Sequence, residues 1–252
     1  MQKVKANTQV SSHSNQKSQK NLTQQTLYKC DLCKDTGYLI EQPQESQPVM
    51  KRCKCQDIEI ASRQWKSAGI NPLTNKQTFS NFEAWNESSK SAKNTTIAYY
   101  KRYEDIKSTR KNSIMLCGQV GSGKTHLSIA LALNFIQKGI RVVYMPFRDV
   151  ITSLKQNMLD EEFYKRQVSK FQTADILLLD DLFKGKINET DINIMFEIIN
   201  YRYLNYLPMI VSTEFTLDKM LNFDEAVGSR IYEMCKDYTI EIRGQGNNYR
   251  LK

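Results

Sequence analysis

The eight residues GQVGSGKT, Gly118 to Thr125, decide how the rest of the chain is read. They fit the phosphate-cradling pattern G-x-x-x-x-G-K-[ST] at every fixed position. SIMLC (113–117) before them reads as a short apolar strand, and KTHLSIALALNFIQKG (124–139) after them as a helix ended by Gly139. Glycines at 118, 121 and 123 let the backbone wrap so that successive N–H groups converge on phosphate oxygens, and the helix N-terminus adds positive potential. In such a cradle Gly118, Gly121, Ser122, Gly123 and His126 surround a triphosphate, Lys124 reaches its terminal phosphates, and the Thr125 hydroxyl can ligate Mg²⁺. The implied cofactors are ATP or ADP with Mg²⁺.

Downstream, ADILLLDDLFK (174–184) runs apolar and stops on two adjacent acids. Burying one carboxylate at the end of such a run is costly, so two side by side need a cation nearby. The cradle supplies one. The strand ending on Asp180 is expected to run beside the cradle strand, with Asp180 holding Mg²⁺ and Asp181 polarising a water for attack on the γ-phosphate. Aspartate stands at 181 where glutamate is usual, and being shorter it implies slow basal hydrolysis.

Around these motifs strands and helices alternate. RVVYM (141–145) and PMIVST (208–213) read as further strands, and ETDINIMFEIINYRYLN (189–205) as a helix. This is the pattern of an α/β parallel sheet covered on both faces. Towards the N-terminus, a charged stretch from about Ser88 to Lys111 reads as an amphipathic helix, and IASRQWKSAGINPLTNKQTFSNFEAW (60–85) as a helix, a Pro-broken linker and a lead-in carrying Phe79, Phe82 and Trp85. The expected division is a disordered basic tail at 1–26, a zinc-binding module at 27–60, a linker at 61–78 and the ATPase domain at 79–252.

The net charge is +9, and Lys3, Lys5, Lys17 and Lys20 lie in the polar tail with no acid among them. Such a tail either solubilises the chain or draws it to phosphate backbones or an acidic partner. No apolar run reaches the length that spans a bilayer, which points to a cytoplasmic protein without a membrane partner. Cys30, Cys33, Cys53 and Cys55, as CDLC and CKC, bracket a turn-forming Gly37 and the β-like YLI. Two thiolate pairs brought together by a hairpin give tetrahedral sulfur ligation for Zn²⁺, and a segment this short would draw its folding energy from the metal. Cys117 is expected on a buried strand as a small hydrophobe.

Five stretches, GQVGSGKTHLSIALA, ADILLLDDLFK, IINYRYLNYLPMIVSTE, DEAVGSRIYEMC and NNYRLK, resemble in order and spacing the AAA+ ATPases of the DnaC/DnaI helicase-loader and IstB-like group. The cysteine segment is similar to that of phage-encoded loaders. The resemblance implies an AAA+ sheet without a C-terminal helical lid, an arginine finger at Arg230 acting on a neighbour's ATP, and head-to-tail self-association into a ring or spiral. Thr213 falls in the sensor region VSTEF, where Asn is common and Glu214 departs from the pattern. Arg250 could approach the nucleotide, but reads more simply as a solvated residue. The implied partners are a DnaB-type replicative DNA helicase, held by the N-terminal module, and single-stranded DNA.

For the DNA, FRDVITSLKQNMLDEEFYKRQVSKF (147–171) offers Arg148, Lys155, Lys165, Arg166 and Lys170 with Phe163 or Tyr164 as stacking groups. It equally reads as a plain amphipathic helix with Val150, Ile151, Leu154 and Met158 turned to the core. The function implied is ATP-dependent loading of a helicase onto single-stranded DNA. A transposase helper, a metabolic kinase and a non-catalytic adaptor that uses ATP as a clamp are the other readings.

Overall fold

The computed structural model describes residues 28–42, 47–67, 70–72 and 74–251. The basic tail expected at 1–26, with its four lysines, lies outside the described residues. A small hairpin, β1 (Tyr38–Glu41) paired antiparallel with β2 (Val49–Arg52), leads into α1 (Lys54–Ser67). The expected division at 60/61 falls inside this helix. Trp65 on α1 is fully buried, donates from Nε1 to Val142 O (2.9 Å) and packs on Tyr144. The helix therefore belongs to both the cysteine hairpin and the ATPase core, and chain of linker type begins only after it.

Next comes α2 (Glu87–Ile106), started by an Asn86–Ser89 capping box that satisfies two otherwise unpaired backbone donors. Alternation then follows as β3 (Ile114–Gly118), α3 (Lys124–Gln137), β4 (Val142–Pro146), α4 (Phe147–Gln156), α5 (Glu161–Gln172), β5 (Ile176–Leu182), α6 (Glu189–Leu204), β6 (Met209–Thr213), α7 (Leu217–Phe223), α8 (Glu225–Cys235) and β7 (Thr239–Ile242). The last five strands form one parallel sheet in the order β4-β5-β6-β3-β7. Because β6 intervenes, the strand ending on Asp180 does not lie beside the cradle strand as expected.

Both sheet faces are covered, and the strands are apolar along nearly their whole length, as burial on two sides demands. One face packs Met115, Leu177, Leu179 and Val211 against α4–α8. The other packs Leu116, Leu178 and Ile210 against α1, α2 and α3, with Tyr99, Tyr103 and Phe135 in mutual edge and tilted contacts. Cys117 is fully buried in β3 and its thiol is pushed up to about 12 by burial, which makes it an inert small hydrophobe.

The segment read as one charged helix is two. Helix α4 stops at Gln156, and Asp160 caps α5 by accepting from Phe163 N (2.9 Å). Ile151 and Leu154 face the core as expected, whereas Met158 lies in the break between the helices and is exposed. Among the described residues, β7 is followed by short 3-10 turns and not by a helical lid, and no helix is long and apolar enough to cross a membrane.

Candidate nucleotide site and cysteine cluster

The loop after β3 closes by left-handed turns at Gly118 (φ 99°), Gly121 (φ 73°) and Gly123 (φ 85°). At Gly118 a β-carbon would stand 2.3 Å from Ile242 O, because Gln119 N–H bonds to that same carbonyl (2.7 Å) where β7 flanks the loop. Only glycine fits there. Ser122 is buried and its hydroxyl donates to Gln119 O (2.8 Å). Lys124 is buried too, its Nζ donating to Gly118 O (3.0 Å) and Gln119 O (2.6 Å), and burial pulls its pKa down against the opposing pull of Glu214 and Asp181. His126 Nε2 lies 2.9 Å from Thr78 O and its ring meets the edge of Phe82. His126 thus faces both the loop's cavity and the lead-in segment.

The two acids are handled differently by the fold. Asp180 is 5% exposed, and its Oδ1 accepts from Thr125 Oγ1 (3.0 Å) and from Ser212 Oγ, its Oδ2 from Tyr144 OH (3.1 Å). Ordinary strand alternation would send Asp181 to the opposite face. Instead β5 slips register against β6 between Leu179 and Leu182, and Asp181 takes a left-handed conformation (φ 55°), with its N–H donating to Ser212 Oγ (3.0 Å). That bulge turns the Asp181 carboxylate into the cavity, where Lys184 Nζ meets it at 2.8 Å and Glu214 at 3.1 Å. Two carboxylates are tolerated there because a lysine sits between them.

Burial lifts the Asp180 carboxyl above its ordinary range, helped by the Asp181 charge, and the hydroxyls of Ser212, Thr125 and Tyr144 only partly counter it. A raised folded pKa means stability is fully present in acid and is lost as pH rises through that pKa. Asp180→Asn is therefore expected to raise the thermal midpoint of the protein in metal-free, nucleotide-free buffer at neutral pH, with the gain shrinking on acidification. Thermal unfolding at neutral pH and in acid measures it, and an unchanged or lowered midpoint at neutral pH would count against it.

A cavity of about 400 Å³ opens above the loop, within the usual size of a ligand pocket. Gly121, Gly123, Lys124 and Thr125 form its floor, Asp181, Lys184 and Glu214 one wall, and Phe82, Trp85 and Tyr249 another. Thr213 does not line it. Its hydroxyl donates to Leu182 O (2.8 Å) and accepts from Phe215 N (3.1 Å), so it braces the bulge, and Glu214 and Ser212 stand nearer the acids. Arg250, expected to be solvated, lines the cavity while remaining exposed. Arg230 does not line it. It sits within α8, donates to Asn200 Oδ1 (3.0 Å) and Ala226 O (2.7 Å), and lies over Phe196.

Within VSTEF the sequence offers Ser212 as well as Thr213 and Glu214, whereas Tyr144, Lys184 and Tyr249 carry no site signal of their own. Lys184 lay in the quoted DDLFK, and the alternation in TIEI (239–242) was the available signal for β7. Of the groups offered for single-stranded DNA, several are engaged within the fold: Lys155 with buried Asp191 (2.7 Å), Arg148 with Lys186 O (2.8 Å), Lys165 with Glu161, and Tyr164 with Glu197 (2.7 Å).

The four thiols of Cys30, Cys33, Cys53 and Cys55 lie within 4.8 Å of one another. Cys33 and Cys55 Sγ are 3.4 Å apart, and Cys30 and Cys53 Sγ 3.8 Å. Tetrahedral zinc with Zn–S near 2.3 Å requires sulfur–sulfur edges of about 3.8 Å, so the donor set fits zinc in type and spacing. The contacts are too long for disulfides, and all four thiols are free. Turn bonds from Lys34 N to Cys30 O and from Cys53 N to Gly37 O aim the two pairs at one point.

A parallel sheet in this strand order, with the P-loop after an inner strand and paired acids two strands away, defines an AAA+ P-loop ATP-binding protein. Residues 70–252 match the model of the IstB-like ATP binding proteins, and the chain belongs to that family. It is similar to the phage-like element PBSX protein XkdC of Bacillus subtilis (strain 168), at 38% identity over 236 residues, 89% of this chain and 87% of that protein. It is also similar to the insertion sequence IS21 putative ATP-binding protein of Pseudomonas aeruginosa, at 28% identity over 57% of this chain and 54% of that one. Its fold is like that of the DnaC helicase loader, with TM-score 0.54 and 23% identity across 72% of this chain and 99% of that one.

Proposed function

We propose that this chain is an ATP-dependent loader that holds a DnaB-type replicative helicase through the cysteine module and delivers it onto single-stranded DNA. The observation that carries this reading is the module's surface. Tyr38, Ile40 and Met50 fall on one face of the β1–β2 hairpin, and all three are exposed. An apolar patch beside a metal-type cluster, joined through α1 to a core with the fold of the DnaC helicase loader, fits a protein partner better than a phosphate backbone.

In the ATPase core the loop amides and Lys124 bind the phosphates of ATP, with Gly118, Gly121, Ser122, Gly123 and His126 shaping the cradle. Thr125 and Asp180, already 3.0 Å apart, would hold Mg²⁺. When bound, that ion neutralises charge on the β- and γ-phosphates. Asp181, turned into the cavity by the bulge, orients and deprotonates the attacking water, and Lys184 restrains it in the interval. Arg230 acts on the γ-phosphate of a neighbouring subunit, a task suited to a permanently charged, forked donor. Thr213 supports this arrangement through the bulge and does not touch the nucleotide. Hydrolysis is slow in the isolated chain and rises with DNA and assembly. The four cysteines hold zinc.

Light scattering of the protein mixed with the host's replicative helicase, with and without ATP, tests the proposal. A stoichiometric co-eluting complex is expected, and it should be lost on Ile40→Asp. The likeness to the insertion-sequence ATP-binding protein supports equally a second reading, a helper ATPase for a transposase. Capture of a transposase in place of the helicase would establish that one.

A further inference from the structure

The segment after β7 does more than trail off. It lies across the P-loop and is tied down at three points. Asn247 Oδ1 accepts from Asn86 Nδ2 (2.7 Å) at the start of α2, and Asn247 Nδ2 donates to Arg243 O (2.6 Å). Tyr249 N–H donates to Gly121 O (3.0 Å), inside the phosphate loop itself. Tyr249 OH donates to Glu83 Oε2 (2.6 Å) on the lead-in segment. The approach to the loop is so close that a β-carbon on Gly121 would meet Asn248 Oδ1 at 2.0 Å.

These bonds set the Tyr249 ring against Trp85, with centroids 5.0 Å apart, and Trp85 in turn lies 6.0 Å from Phe82. The three rings line the same cavity as Lys124 and Thr125. The cavity is therefore lined by the lysine-bearing phosphate loop and by three aromatic side chains. A triphosphate alone has no use for the second feature, whereas a flat base does. We infer that residues 244–251 form the base-end wall of the nucleotide site, with Tyr249 and Trp85 packing the purine. The inference rests on the proposed nucleotide reading and adds which part of the ligand the tail recognises.

Calorimetry with two probes, Mg-ATP and magnesium tripolyphosphate, tests it on the full chain. Tripolyphosphate carries the same charged groups and no base. Tyr249→Ala is expected to weaken ATP binding at least roughly fivefold, the lower end of what one aromatic–base stack contributes, while tripolyphosphate binds as to wild type. Tyr249→Phe should keep the ATP affinity within about twofold, since it loses only the Glu83 bond, which is partly exposed. Unchanged tripolyphosphate binding also shows that the P-loop remains folded in the variants. Equal ATP affinity for wild type and Tyr249→Ala would overturn the inference. So would a parallel loss of both ligands, which would mean that the tail acts by holding the loop. If wild type binds neither probe, the nucleotide reading itself falls, and this one with it.

Discussion

Asp181→Asn is expected to lower ATP turnover by roughly 10²- to 10⁴-fold, the usual contribution of a positioned general base. ATP affinity should remain within a few-fold of wild type. The separation follows from geometry. Asp181 reaches the cavity because its backbone sits at φ 55° in the β5 bulge, and asparagine is among the residues that best tolerate that conformation. The amide has the same shape and preserves the N–H bond to Ser212, so the P-loop, Lys124 and the Thr125–Asp180 contact are untouched. What disappears is the carboxylate that pairs with Lys184 at 2.8 Å and accepts a proton from water. Phosphate-release kinetics beside calorimetric ATP affinity make the measurement. Equal turnover in wild type and variant would favour the adaptor reading, in which ATP is only a clamp.

Removing the zinc proposed for the four cysteines is expected to have the second large effect. The hairpin has almost nothing else to hold it, since Tyr38, Ile40, Val49 and Met50 are all exposed and a lone two-stranded ribbon is marginal in water. Structural zinc in small modules contributes about 10 kcal/mol of folding free energy or more. Chelation, or Cys53→Ser at the most buried thiol, should therefore unfold the β1–β2 hairpin and the turn that carries Cys30 and Cys33. Helix α1 should stay in place, because Trp65 is anchored in the core independently of the cysteines. Metal analysis is expected to find one zinc per chain, with hydrogen exchange in the hairpin rising by orders of magnitude on stripping and ATP binding unaffected. A hairpin equally protected with and without metal would contradict this.

These predictions draw unequally on the sequence. The P-loop was legible because its chemistry is local: two glycines, a lysine and a threonine at fixed spacing need no distant partner to be recognised. Asp180 was legible for the same reason, as a charge closing an apolar strand. Asp181 was expected at the same spot, but the turn that brings it there was not legible. It depends on a register slip against β6, a contact with a strand about thirty residues away in the chain that no local pattern records. Ser212 and Thr213 show the same limit at its sharpest, since strand alternation sends adjacent hydroxyls to opposite faces, and only the pairing reveals which one meets Asp180. Trp65 read as part of a linker region because the residues after it are polar and Pro-broken, whereas its burial comes from Val142 and Tyr144, far along the chain. Strand β7 was missed because four residues between a helix and a polar tail give too short an alternation to stand out.

In the proposed assembly, one subunit's P-loop and the next subunit's Arg230 together make one ATPase site. Mixing two inactive variants puts this shared site to the test. Lys124→Ala disables the loop of its own subunit and Arg230→Ala disables the finger offered to a neighbour, and each alone should hydrolyse ATP at background rates, because Arg230 lies away from its own cavity. In an equimolar mixture, head-to-tail assembly brings an intact loop against an intact Arg230 at about one interface in four. The mixture is therefore expected to regain roughly a quarter of wild-type turnover in the presence of single-stranded DNA. A mixture no more active than the two variants measured separately would contradict the shared site.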